Sequence, residues 1–382
     1  MLKKFLTFIV FLFFGTASVL VLNSIISSKN NTGIFKEFPE SPSESYNGYY
    51  YSDLEENEKI VYEIIADEIE NFPKRIRIPE IDNDGLSDVF DALHYDNPDY
   101  LFLGGNCTVE TSFGSSYFIP QYIMTKSEYV SALEELSYIR ENILRRTASF
   151  TDDYEKELYV HDYIVDKCEY VKKTGGTYSS SYGCLVNGSA SCEGYAKAMK
   201  YLLDAMDIEN YLVYGTTKSD DNDDNGHAWN IVKINSDYYH VDATWDDPCE
   251  NEIENRYAYF NLTDNEITET HTIDSRFSSI CTQNDENYYV KNNILFESYD
   301  SYTKNTLISE FANQINLGND TFSFKMNSQE ALEEAKKELF DMNEIYSILY
   351  SAGTSAGKNF TNDEIIYAVD DVHMIIIISD YL

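Results

Sequence analysis

Cys192, His227 and Asp242 have the residue types and the order that thiol chemistry needs. A thiol with an ordinary pKa of about 8.5 is a weak nucleophile until it ionises. Cys192 opens a strongly helical run, Glu193–Met206, in which Ala196, Met199, Leu202, Leu203 and Met206 are apolar. Backbone N–H groups without partners at a helix N-terminus stabilise an anion there. An imidazole completes the activation by taking the thiol proton. A third group, a carboxylate or amide, fixes the tautomer and orientation of that imidazole. The expectation is Cys192 as nucleophile, His227 as base and Asp242 as the orienting carboxylate. Cys184 reads as a small buried thiol and His240 as structural, while Asp246 and Asp247 suit a turn before Pro248.

The elements that must position these residues can be read from the pattern. His227–Ile234 and Tyr238–Thr244 are strand-like and are joined near Asn235-Ser236-Asp237. Side chains alternate with period two along a strand. His227 and Asp242 therefore share a face only if the connection has an even number of residues. An even loop sets Asp242 opposite Trp229 and His227 opposite Thr244, a diagonal pair within hydrogen-bond reach. A three-residue loop would put the pair on opposite faces.

Ser191–Ala196 (SCEGYA), Gly226–Ile231 (GHAWNI) and Tyr239–Pro248 (YHVDATWDDP) resemble the three motifs of the transglutaminase-like superfamily of thiol acyl-transfer enzymes. The gaps of 35 and 15 residues between Cys192, His227 and Asp242 fit it as well. His161-Asp162-Tyr163, Tyr259-Phe260 through Asp264 to His271, and Asp96-Asn97-Pro98 are similar to stretches of secreted bacterial members. The strong match covers roughly residues 150–275, about a third of the chain. The resemblance implies a papain-like α+β core, with the Cys helix packed on an antiparallel sheet. It also implies a thioacyl intermediate released to water or to an amine.

The family's oxyanion side-chain donor has no clear match here. The Cys192 backbone N–H is one natural donor, and Tyr182, Asn187 and Ser191 are candidates for the second. The two Trp residues, Trp229 and Trp245, lie close in sequence to His227 and Asp242. They suit either the walls of a dry groove or sheet packing. Two calcium-like patterns depart from a true loop: Glu80–Asp91 has Glu where Asp is wanted first and Asp where a bidentate Glu is wanted last, and Asp221–Val232 has Val232 at its twelfth position. They read as a turn feeding a helix and as a solvated loop, Ser219–Asn225. His373 beside MIIII reads as a core histidine. No metal or cofactor is expected.

Composition bounds the rest. The 382 residues hold 28 Lys+Arg against 66 Asp+Glu, a net charge of −38. Such a surface repels nucleic acid. Six cysteines without a CxxC pair exclude a zinc ribbon and are too sparse for a disulfide scaffold. Lys3-Lys4 before the uncharged run Phe5–Leu22 reads as a secretion signal or a membrane anchor. Either places the body outside the cytoplasmic membrane. Residues 1–30 are then the address and 31–48 a linker. Residues 49–150 form an α+β segment read as packing material, 151–273 the catalytic domain, and 274–382 another α+β segment. The expected function is an extracytoplasmic cysteine peptidase, amidase or transglutaminase acting on a peptide or protein substrate near a cell envelope. Acetyl transfer from a thioester cofactor uses the same triad, but would need a cytosolic cofactor. The non-catalytic alternative is a cell-surface binding module on the same fold.

Overall fold

The computed structural model describes residues 6–7, 18–23, 37–43, 45–112, 115–218, 226–247, 255–319, 321–358 and 365–379. The Ser219–Asn225 loop, Pro248, Cys249 and most of the N-terminal apolar run lie outside them. Within that run, Leu6–Thr7 (β1) and Ser18–Asn23 (β2) are strands. Among the described residues no helix is long and apolar enough to cross a membrane.

The elements follow in chain order as α1 (Tyr49–Asp53), α2 (Glu56–Ile69), β3 (Ile76–Ile78), α3 (Asn83–Tyr95), β4 (Leu103–Ser112), β5 (Ser115–Tyr122), α4 (Lys126–Thr147) and α5 (Asp153–Lys167). Next come β6 (Glu169–Tyr170), α6 (Ser181–Leu185), β7 (Ser189–Ala190), α7 (Cys192–Asp204), β8 (Asn210–Thr217), β9 (Gly226–Ile234), β10 (Asp237–Val241), α8 (Asp264–Ile267) and β11 (His271–Ile273). The remainder is α9 (Tyr288–Lys291), β12 (Leu295–Phe296), α10 (Ser301–Leu317), β13 (Thr321–Met326), α11 (Gln329–Lys336), α12 (Glu344–Ser355), β14 (Ile366–Asp370) and β15 (Ile375–Ser379). The chain divides into two compact units, Met1–Ile231 with His271–Phe277, and Val232–Thr270 with Ser278–Leu382.

In the first unit one sheet has the order β1-β2-β4-β5-β3. Its β4–β5 ladder shifts register between Leu103 and Cys107. The second structural layer is β8 paired antiparallel with β11, against which α7 packs. Asn230 of β9 ties strand to helix by donating from Nδ2 to the Ala196 carbonyl at 3.0 Å. Local signals explain several boundaries. The Thr125 hydroxyl accepts from the Glu128 N–H, and the Glu128 carboxylate accepts from the Thr125 N–H, so the capping box at Thr125 starts α4. Asp82 accepts from the Gly85 N–H at 2.9 Å, so the first calcium-like pattern is the N-cap of α3. Glu55 and Glu58 form the capping box that starts α2 after the short α1.

The tyrosine-rich composition goes into this core. Tyr62 and Tyr195 are fully buried, and buried Tyr50 donates its hydroxyl to the Leu212 carbonyl at 3.0 Å. Tyrosine fills volume as phenylalanine does, but it needs such a partner when buried.

In the second unit, Val232–Ile234 continue from the first and turn through Asn235-Ser236 into β10, with Asn235 at φ 58°. The connection is therefore two residues long. A separate sheet has the order β12-β13-β15-β14, with β12 and β13 parallel and the other pairs antiparallel. Its aliphatic strand Ile375–Ile378 is buried. His373 is buried too, with Nδ1 2.8 Å from Asp370 Oδ2, as a core histidine.

Candidate active site

Cys192 is the first residue of α7, after the N-cap Ser191. The helix begins there because the chain arrives extended at Ser191 and is pinned to the turn before it. The Ser191 N–H and hydroxyl both donate to the Tyr178 carbonyl, at 2.9 and 3.2 Å. Gly194 makes this approach feasible, since a Cβ there would lie 2.5 Å from the Tyr178 carbonyl oxygen and 2.7 Å from Ala190 Cβ. By helix geometry the N–H groups of Cys192 and Glu193 have no intrahelical partner. Among the described cysteines Cys192 is the one that is not buried; Cys107, Cys168, Cys184 and Cys281 all are.

A cavity of about 640 Å³ opens at Cys192 within the first unit, and His227 lines it as well. Gly226 and His227 start β9, so the imidazole enters the cavity from the strand end. Residues 49–150 do more than pack: Phe90, Tyr95, Leu101, Gly104 and Ile123 form one wall. Gly175 and Gly176 contribute to the rim, where added side chains would meet only open space.

Next to Cys192, Glu193 takes part in an ion cluster that also lines the cavity. Its Oε1 is 2.7 Å from His94 Nε2 and 2.9 Å from Lys197 Nζ. Lys197 Nζ is 2.8 Å from the same His94 nitrogen, so Nε2 serves one partner at a time, according to tautomer. Burial pushes the Glu193 carboxyl up, but Lys197 and His94 outweigh it and hold it well below the usual range. Burial, together with Lys197, lowers the His94 pKa against the pull of Glu193. The cluster is therefore a carboxylate, an ammonium and a neutral imidazole. The i,i+4 spacing of Glu193 and Lys197 on one helix signals their pairing. No sequence signal reaches His94, which lies on α3 in another segment.

The other expected residues are found as follows. Trp229 is buried under the strand, 5.0 Å from the His271 ring and 5.9 Å from the His227 ring between centroids, and does not line the cavity. Tyr182 does not line it either: its hydroxyl faces Glu135 on α4 at 3.4 Å, which removes it as an oxyanion donor. Ser191 does line the cavity, whereas Asn187 does not. Tyr214, missed from sequence, lines it with a phenol whose pKa burial raises.

Asp242, Trp245 and His240 belong to the second unit. Asp242 is completely buried one residue past β10, and its Oδ1 accepts from the N–H groups of Thr244 (3.0 Å) and Trp245 (3.3 Å). Trp245 is 37% exposed and packs edge-on to Tyr259. Asp246 is not merely a turn residue: it is buried and its Oδ1 accepts from the Tyr259 N–H at 2.9 Å. His240 is buried with Nε2 2.9 Å from Asp264 Oδ1, the structural role expected of it.

Residues 141–243 match the transglutaminase-like superfamily model. No curated protein matches the chain. Similar solved structures include one described as a TGase, with 13% identity over 60% of each chain and a TM-score of 0.28. A proposed cysteine protease from Cytophaga hutchinsonii is 19% identical over 28% of this chain and 37% of its own, with a TM-score of 0.25. A proposed protease from Parabacteroides distasonis is 13% identical over 34% of this chain and 29% of its own, with a TM-score of 0.23. The chain thus spans between 29% and 60% of the length of these structures. The described residues form a mixed α+β architecture with largely antiparallel sheets. Residues 141–243, about a quarter of the chain, are similar to the transglutaminase-like superfamily.

Proposed function

We propose that this chain is a thiol acyl-transfer enzyme that acts on peptide or protein amides. The observation that carries the reading is Cys192 itself: the unburied cysteine among the described ones, at the first position of a helix, in a cavity lined also by His227. His227 takes the thiol proton and the thiolate attacks the amide carbonyl. The charge that develops on the carbonyl oxygen meets the N–H groups at the start of α7. His227 returns the proton to the departing amine, which leaves a thioester on Cys192. Water or a second amine, deprotonated by His227, then releases the acyl group. Asp242 is the orienting carboxylate in this scheme. The two-residue turn Asn235-Ser236 supports that role, since it has the even length that one-face pairing requires. The N-terminal run Phe5–Leu22 behind Lys3-Lys4 favours an extracytoplasmic site of action on a cell-envelope peptide or protein.

The test is product analysis by mass spectrometry on peptides with glutamine side-chain and backbone amides, with and without an added primary amine. Hydrolysed product alone indicates a peptidase or amidase; amine-linked product indicates transamidation. Both products should vanish in Cys192→Ala. If the wild-type chain forms neither product and no thioester, it is a binding module on this fold.

A further inference from the structure

We infer that the second unit holds a zinc site built from His240, Asp264 and Cys281. The imidazole nitrogen, the carboxylate oxygen and the sulfur all lie within 4.8 Å of one another. They come from three separate places: β10, the first turn of α8, and the chain after β11. The convergence is framed by backbone hydrogen bonds. The Asp264 N–H donates to the Cys281 carbonyl at 2.8 Å, and the Cys281 N–H donates to Asp264 Oδ2 at 3.1 Å. That second bond occupies one carboxylate oxygen and leaves Oδ1 turned to His240 Nε2 at 2.9 Å. Orientation of a ligating carboxylate by a hydrogen bond to its other oxygen is the usual support of a metal site.

The donor set selects the metal. One nitrogen, one oxygen and one sulfur suit zinc, while calcium and magnesium prefer all-oxygen shells. Zinc bonds of about 2.0–2.3 Å in a tetrahedron require ligand atoms nearly 3.5 Å apart. The cluster reaches this once the His240–Asp264 hydrogen bond opens by a few tenths of an ångström. Water takes the fourth position, because the Asp264 side chain is 18% exposed while that of His240 is fully buried. Binding releases the Cys281 thiol proton to solvent and places the His240 hydrogen on Nδ1. Two anionic ligands then cancel the charge of the ion. Without it, a carboxylate sits between a buried imidazole and a buried thiol with no cation among the three. A histidine–carboxylate hydrogen bond alone needs no third donor, and the thiol is what the ion explains.

The experiment uses the full chain in a Cys192→Ser background, so that no thiolate in the cavity contributes. The chain is loaded with zinc, dialysed, and assayed for metal. The expected result is about one equivalent retained, with Cys281→Ser binding about 100-fold more weakly or worse and Cys184→Ser unchanged. Circular dichroism reports whether Cys281→Ser folds. If it does not, cobalt(II) loading of the parent chain decides, because ligation by Cys281 gives a thiolate charge-transfer band in the near ultraviolet. No retained zinc, retention unaffected by Cys281→Ser, or no cobalt band overturns the site.

Discussion

His94 in the first unit and His240 in the second begin alike and differ in their third neighbour. Each presents Nε2 to a carboxylate, Glu193 at 2.7 Å and Asp264 at 2.9 Å. Burial lowers both imidazole pKa values. Around His94 the third group is the Lys197 ammonium, and the cluster is neutral by itself. Around His240 it is the Cys281 thiol, which burial and the Asp264 charge push up, so the cluster keeps one negative charge. A cluster that balances its own charge can stand beside Cys192 at the cavity without adding a net charge there. A cluster that does not balance has room for a cation.

The largest expected contrast is between the cysteines of these two regions. Cys192→Ala should lower amide turnover by about 10⁴-fold or more while leaving the melting temperature nearly unchanged. Next, Lys197→Met leaves the Glu193 carboxylate buried without its cation and should cost about 3 kcal/mol in urea unfolding. The double variant Glu193→Gln/Lys197→Met should recover most of that loss. If the single variant is as stable as wild type, the self-balanced description of this cluster is wrong.

Acidification sharpens the comparison further. Folding lowers the pKa of both His94 and Glu193. The unfolded chain therefore binds their protons more tightly, and their stabilisation is complete only above the unfolded values of about 6.5 and 4.3. It is lost as pH falls below those values, beginning near about pH 6.5 for His94. His94→Gln should flatten the first part of the decline in unfolding midpoint. Asp96 works in the opposite sense. Burial pushes its carboxyl up to about 6, although it accepts from the N–H groups of Tyr50 and Tyr51. Its contribution grows as pH falls from about 6 towards 4, so Asp96→Asn should steepen the acid decline. The smallest expected effect is at Tyr182. Tyr182→Phe should change kcat/KM by less than about twofold and stability by less than about 0.5 kcal/mol, because its hydroxyl faces Glu135 away from the cavity.

The parts of the site that follow from short-range pattern were legible in sequence. The helix at Cys192 follows from the spacing of Ala196, Met199, Leu202 and Leu203 within a few residues, and the connection near Asn235-Ser236-Asp237 is the even, two-residue case. The contacts that depend on distant segments were not. His94 reaches Glu193 from α3, and nothing in the local pattern of either marks the other. Trp229 next to His227 suggested a groove wall, but alternation along β9 points it into the packing beneath, where even a Cβ on Gly215 would come within 2.7 Å of its ring. The first segment reads as packing because its helices are amphipathic. Its second role, as a cavity wall, arises only where the end of α3 and the start of β4 meet α7 in space.

The central claim is that Cys192 is activated by His227, and the pH dependence of its alkylation tests this most directly. The full chain is treated with iodoacetamide across a pH series beside the His227→Ala variant, and each cysteine is followed by mass spectrometry. The account predicts fast labelling of Cys192 alone at about pH 6, lost in the variant. Labelling of Cys192 that rises only near about pH 8.5 and is unchanged by His227→Ala would contradict it.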